Sequence, residues 1–151
     1  GASVEDTYFA VQQICDFTYK RSIIPIFIGG SQDITLPMYR AYSNLDSYIN
    51  ITVVDNCFDF GEPGQLISSK SYMSKIILDE PNRLFNFCNL GYQTFYNAQE
   101  ELDLLDRLFF ESYRLGNLVS DISLVEPVLR DTDLLSIDLK SMKSMNYEKV
   151  I

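Results

Sequence analysis

The amino-acid sequence predicts an α/β fold with a mainly parallel sheet. Three observations carry that expectation. Apolar periodicity alternates between helical and strand-like stretches with no long linker between them. Two apolar runs stop at an aspartate, "ITVVD" at Asp55 and "LLSID" at Asp138, as strands do when they end at a polar turn. The 151 residues, 46% hydrophobic and 13% aromatic, are enough to bury a core, so a single domain over residues 1–151 is expected.

Each element follows from local pattern. In "SVEDTYFAVQQICDFTYKR", Val4, Tyr8, Val11 and Cys15 share a helical face, Ser3 and Asp6 have the spacing of a capping box, and Lys20 and Arg21 sit at the negative end of the dipole. "IIPIFIGG" reads as a strand running into a glycine turn, with Pro25 removing one donor from its centre. "LPMYRAYSNL" reads as a helix with Pro37 near its first turn, where a missing N–H is tolerated. The strand "ITVVD", the loop "FDFGEPGQ", the helix "SYMSKIILDE" and the strand "LFNFCNL" come next.

"AQEELDLLDRLFFESYRLG" has the strongest helical pattern. Asn97 is the expected N-cap with Glu100 three residues on, Leu102, Leu105, Phe109 and Tyr113 form the apolar face, and Gly116 is the stop. A short helix within "LVSDISLVEPVLR" and the strand "DLLSIDL" complete the chain. There is no internal repeat.

Composition narrows the function. A net charge of -9 and the lack of any Lys/Arg cluster longer than Lys20-Arg21 argue against nucleic acid and anionic membrane surfaces as partners. Three cysteines, Cys15, Cys57 and Cys88, do not make a disulfide framework and suit a reducing compartment. No apolar run approaches the roughly 20 residues of a membrane span, and "GASVEDTY" lacks the pattern of a signal peptide, so a cytoplasmic location is expected. The absence of histidine removes the commonest general base and metal ligand.

Ligands of parallel α/β sheets gather beyond the carboxyl ends of the strands. Three expected strands end there in Gly29-Gly30-Ser31-Gln32, in Asp55 with Asp59, and in Asp138. Converging carboxylates need a cation, a proton or a lysine, and hard divalent ions are the usual solution. The simpler alternative is that Asp55 and Asp138 cap the turns that follow them. A dinucleotide site at "FIGGSQ" is weakly supported, since the G-x-G-x-x-G spacing is missing.

Taken in order, "GGSQD" (Gly29 to Asp33), "DNCFD" (Asp55 to Asp59) and "SIDLK" (Ser136 to Lys140) resemble the GGDHS, DAHxD and SxDxD motifs of the ureohydrolase family, which comprises arginase, agmatinase and formimidoylglutamase. The flanking "NLGYQTFYNAQEELDL" is similar to the formimidoylglutamase-like branch of Bacteroidetes type. The resemblance implies an arginase-like three-layer α/β sandwich around a mainly parallel sheet, with two manganese ions that activate a bridging water for attack on a guanidine or formimino carbon. It also implies a longer domain, with strands before the first motif and after the third, so the chain is expected to be a truncated piece of that domain.

The departures are as informative. At the first metal position the resemblance places Gln32 for a histidine beside Asp55, Asp59 and Asp138. At the second it retains Asp55 and Asp138 but places Cys57 for a histidine and Lys140 for an aspartate. An ammonium at a ligand position repels a dication, and a thiol favours softer ions than manganese. The plainest roles are a small half-buried residue for Cys57, and a neutral amide and a cation that quiet the carboxylates for Gln32 and Lys140.

The expectations are therefore these: no catalytic residue, at most one weakly held manganese or magnesium ion, and a degenerate ureohydrolase-like domain with a structural or binding role. The alternative is a manganese-dependent C–N hydrolase acting on formimidoylglutamate, active only in a full-length protein. The expected partner is a second copy of the chain or the remaining part of the same protein, with a small amidine or guanidine substrate only if the site is active.

Overall fold

The computed structural model describes residues 3–62 and 64–146. They form two compact units, one made of Asp59–Leu84 with the described residues up to Ile49, the other of Asn50–Phe58 with the described residues from Phe85.

The first unit is helical. Helix α1 (Val4–Tyr19) begins as the sequence predicts: the Ser3 hydroxyl accepts the Asp6 amide and the Asp6 carboxylate accepts the Ser3 amide. At its other end the Arg21 guanidinium donates to the Phe17 carbonyl at 2.9 Å, satisfying a carbonyl that the helix leaves free. Val11 and Cys15 pack with Ala41 of α2 (Thr35–Tyr42), joined by Tyr19, Phe27 and Met38. Helix α3 (Tyr72–Ile77) buries Tyr72, Met73 and Ile76. Arg40 clamps Asp79 through Nε and Nη2 at 3.0 and 2.7 Å.

The expected strand "IIPIFIGG" does not form. Residues 23–28 lie outside any helix or strand, and among the described residues no backbone–backbone hydrogen bond involves residues 24–28. Strand-like alternation survives all the same. Ile24, Ile26 and Ile28 are 88, 83 and 92% exposed, while Pro25 and Phe27 between them are half-buried. The residues have a strand's pattern and, among the described residues, no partner that would make them one. Gly29 and Gly30 then turn the chain at φ of 97° and 77°, a region that suits glycine, into a single 3-10 turn at Gln32–Ile34.

The second unit holds the sheet. Strands β1 (Ile49–Val54), β2 (Leu84–Tyr92), β3 (Glu111–Arg114) and β4 (Leu134–Ile137) stand in the order β3-β2-β1-β4. β1 pairs parallel with β4 and β2 parallel with β3. Cys88 and Leu90 form a cluster with Leu118 of α5 (Leu115–Ser120), against which Val54, Tyr113, Leu124, Val125 and Val128 pack, the last two on α6 (Val125–Arg130). The expected parallel α/β fold is present.

One element differs from its pattern. The long expected helix is only α4 (Gln99–Leu108), and the residues after it make β3. Phe109 adopts φ 58° and ends the helix with its ring 90% exposed, so it is not part of the packed face; Leu105 is, at 1% exposed. Phe110 packs edge-on to Phe87 at 5.8 Å between ring centroids. Asn97 is not the cap. The Ala98 amide is satisfied instead by the Glu101 carboxylate at 2.8 Å.

Candidate functional site at the strand ends

In the second unit β1 and β4 align Val54 with Ile137, so Asp55 and Asp138 are the next residues of two neighbouring strands at their carboxyl ends. The backbone holds both in place. The Asp138 amide donates to the Val54 carbonyl at 3.0 Å and the Asp55 amide to the Leu90 carbonyl at 3.3 Å. Each carboxylate then folds back on its own turn. Asp55 Oδ1 accepts the Cys57 amide at 3.2 Å, and Asp138 Oδ1 accepts the Lys140 amide at 2.8 Å. These are Asx turns, the capping alternative that the sequence offers, and the second starts helix α7 (Leu139–Asn146). Ser141 reinforces that start, its hydroxyl donating to the Asp138 carbonyl at 2.6 Å.

The loop between the two acids of "DNCFD" is pinned by two asparagines that pattern reading passes over. Asn89, buried in β2, donates to the Cys57 carbonyl at 2.9 Å. Asn97 accepts the Phe58 amide at 2.9 Å and donates to the carbonyls of Asn56 and Gln93 at 2.9 and 2.8 Å. Gly91, at φ 105° beside a register shift in β2, lets the strand pass close to the Asp55 carbonyl, which lies 3.7 Å from where a Cβ would stand. Cys57 is half-buried, with its thiol donating to the neighbouring Asn56 side chain at 3.2 Å, and Lys140 is exposed.

The remaining expected site residues, Gln32 and Asp59, belong to the first unit. Gln32 follows no strand, and its amide oxygen and nitrogen are both buried and find no hydrogen-bond partner among the described residues. Asp59 sits at φ 57°, half-buried, its carbonyl accepting the Met73 amide at 3.3 Å. The last residue of "GGSQD" is better satisfied: Asp33 is 6% exposed and accepts hydrogen bonds from the hydroxyls of Tyr8 and Ser31. Burial and this carboxylate raise the Tyr8 phenol pKa far above its ordinary value. Among the described residues, neither unit brings three His, Cys, Asp or Glu side chains together as a group able to hold a metal.

Neither a protein-family model nor a curated protein sequence matches the chain. Solved structures do. A variant of the Trypanosoma cruzi formiminoglutamase, determined with manganese, aligns over 97% of this chain and 52% of its own length with a TM-score of 0.83 at 16% identity. Formimidoylglutamase from Bacillus subtilis aligns over 89% of this chain and 44% of its own length, with a TM-score of 0.67 at 14% identity. Arginase from Medicago truncatula aligns over 83% and 40%, with a TM-score of 0.67 at 17% identity. The chain has the α/β fold of these structures and spans about half their length. No helix among the described residues is long and apolar enough to cross a membrane.

Proposed function

We propose that this chain, which carries about half of an arginase-superfamily fold, is a degenerate ureohydrolase-like domain with a binding or structural role and no hydrolytic centre of its own. The observation that carries the reading is the set of groups at the carboxyl ends of β1 and β4. Two aspartates each accept a backbone amide of their own turn, a thiol lies two residues after one, and a lysine lies two residues after the other. Such a set does not fit a pair of manganese ions. Carboxylates already engaged as caps have fewer lone pairs to give, the thiolate is the wrong hardness, and the ammonium supplies positive charge where a ligand should supply negative. The chain has no histidine to make up the loss. One weakly held manganese or magnesium ion is the most that this chemistry supports.

The second reading is a manganese-dependent hydrolase of formimidoylglutamate. It is favoured by the names of the structural neighbours and by their extra length, which leaves room for ligands that these residues lack. Three cysteines that make no disulfide framework and a net charge of -9 fit a cytoplasmic protein under either reading.

An assay of this chain for urea, formamide and ammonia released from arginine, agmatine and formimidoylglutamate, with and without added manganese, tests the non-catalytic reading. No product is expected in any arm. Turnover that disappears on Asp55→Ala would overturn the non-catalytic reading.

A further inference from the structure

Each unit leaves one strand-like surface open among the described residues. In the first, residues 24–28 alternate as a strand without a backbone–backbone hydrogen bond, and Phe27 anchors them by packing with Val11, Cys15 and Ala41. In the second, β4 ends the sheet order β3-β2-β1-β4, so its outer edge faces no described strand. Along β4, Leu135 and Ile137 are 43 and 46% exposed and alternate with buried Leu134 and Ser136. Charge at the two surfaces is opposite. Lys20 and Arg21, the only adjacent pair of basic residues in the sequence, come just before residues 24–28; both are exposed and, among the described residues, make no ion pair. Asp131 and Asp133, also exposed, come just before β4.

We infer that residues 24–28 of one copy add as a parallel strand to the β4 edge of a second copy, with Ile24 beside Leu135 and Ile26 beside Ile137. A sheet edge takes an extended segment through main-chain hydrogen bonds, and the alternate side chains choose the register. This register stacks apolar residues on one face and sets Lys20 and Arg21 against Asp131 and Asp133. Antiparallel addition would instead bring Lys20 and Arg21 to Asp138 and Lys140, where the charges cancel. Pro25 is compatible with the pairing: when Ile24, Ile26 and Ile28 donate towards β4, its missing donor lies on the outer side. Its fixed φ and the anchor at Phe27 hold the segment extended beforehand, which lowers the ordering cost of association. The contact gives the structural role proposed above a partner.

Strand and edge are different surfaces, so each can be blocked alone. Ile26→Lys blocks the strand and Leu135→Lys the edge, and light scattering coupled to gel filtration reads each variant by itself and in an equimolar mixture. The wild type is expected to self-associate as its concentration rises and each variant to stay monomeric. The mixture is expected to form a complex with one copy of each, because Leu135→Lys still supplies a strand and Ile26→Lys still supplies an edge. Circular dichroism and melting check that both variants fold. A second arm leaves the apolar contacts alone. At low ionic strength Lys20→Glu and Asp131→Lys should each weaken association at least about threefold, and the two together in one chain should restore it. Asp131 is the position chosen because Asp133 also accepts the Asn50 amide at 2.8 Å. A monomeric wild type, a Leu135→Lys variant that associates as the wild type does, folded variants that form no complex when mixed, or charge reversals that do not compensate would each overturn the assignment. None of these outcomes reads metal or turnover, so failure here would leave the non-catalytic reading of the strand-end acids standing.

Discussion

The Asp55 carboxylate accepts the backbone amide of Cys57 at 3.2 Å. A strand-end acid that looks like a metal ligand is thus engaged in holding its own loop, and Asp138 does the same for Lys140 at 2.8 Å. Capping is a function an amide can perform as well as a carboxylate, since both offer an oxygen acceptor.

Asp55→Asn should therefore leave the stability of the chain within about 1 kcal/mol of wild type, whereas Asp55→Ala, which leaves the Cys57 amide without its acceptor, should cost about 1–3 kcal/mol. Urea unfolding of the two variants checks this. An asparagine variant as unstable as the alanine one would mean that the charge, and not the cap, is what the position requires.

Alkaline pH should weaken the fold. Burial, with Glu111 nearby, pushes the Cys88 thiol up to about 12 from an ordinary 9.0, and burial likewise raises the Cys15 thiol and the Tyr19 and Tyr39 phenols. A group whose folded pKa is raised holds its proton more tightly when folded. Its stabilisation is therefore complete below the unfolded pKa and is lost as pH climbs towards the folded one. For Cys88 the window runs from about pH 9 to about pH 12, with a slope of up to about 1.4 kcal/mol per pH unit. Denaturant midpoints from pH 8 to pH 11 should fall, and fall less steeply in Cys88→Ala. Parallel profiles would contradict the assignment.

Self-association is expected through residues 24–28. The stretch from Ser22 to Gln32 contains no charged residue, so two copies of a chain with net charge -9 can approach there with little repulsion. Its three exposed isoleucines, and a backbone with no backbone hydrogen bond among the described residues, are what a second strand covers. Light scattering coupled to gel filtration across a hundredfold dilution should show a concentration-dependent dimer in the wild type and a monomer in Ile26→Lys. A strictly monomeric wild type at the highest concentration would rule the association out.

Elements with local causes were legible in the sequence. The Ser3 and Asp6 spacing is enough to start α1, and the stops at Asp55 and Asp138 mark the ends of β1 and β4, whose pairing is a finding of the structure. What sequence reading missed depends on distant partners. Glu111–Arg114 continues a helical pattern by spacing and becomes a strand because the edge of β2 accepts it once Phe109 has broken the helix. Conversely, "IIPIFI" alternates as a strand should and pairs with no strand among the described residues, because pairing is a property of two segments. At the site, Asn97 looked like a helix cap, yet its side chain holds the amide of Phe58, 39 residues earlier. Asn89 gave a better hint, since asparagine is depleted in strand interiors and one buried there has a partner to serve.

Manganese stoichiometry tests the central claim most directly. The protein is equilibrated with excess manganese, dialysed against metal-free buffer and measured by elemental analysis. With Gln32, Asp55, Asp59 and Asp138 as its only oxygen ligands at the positions of the resemblance, and Cys57 and Lys140 at the others, the chain should retain no more than one manganese ion and lose that one on continued dialysis. Two tightly retained ions per chain would contradict the account.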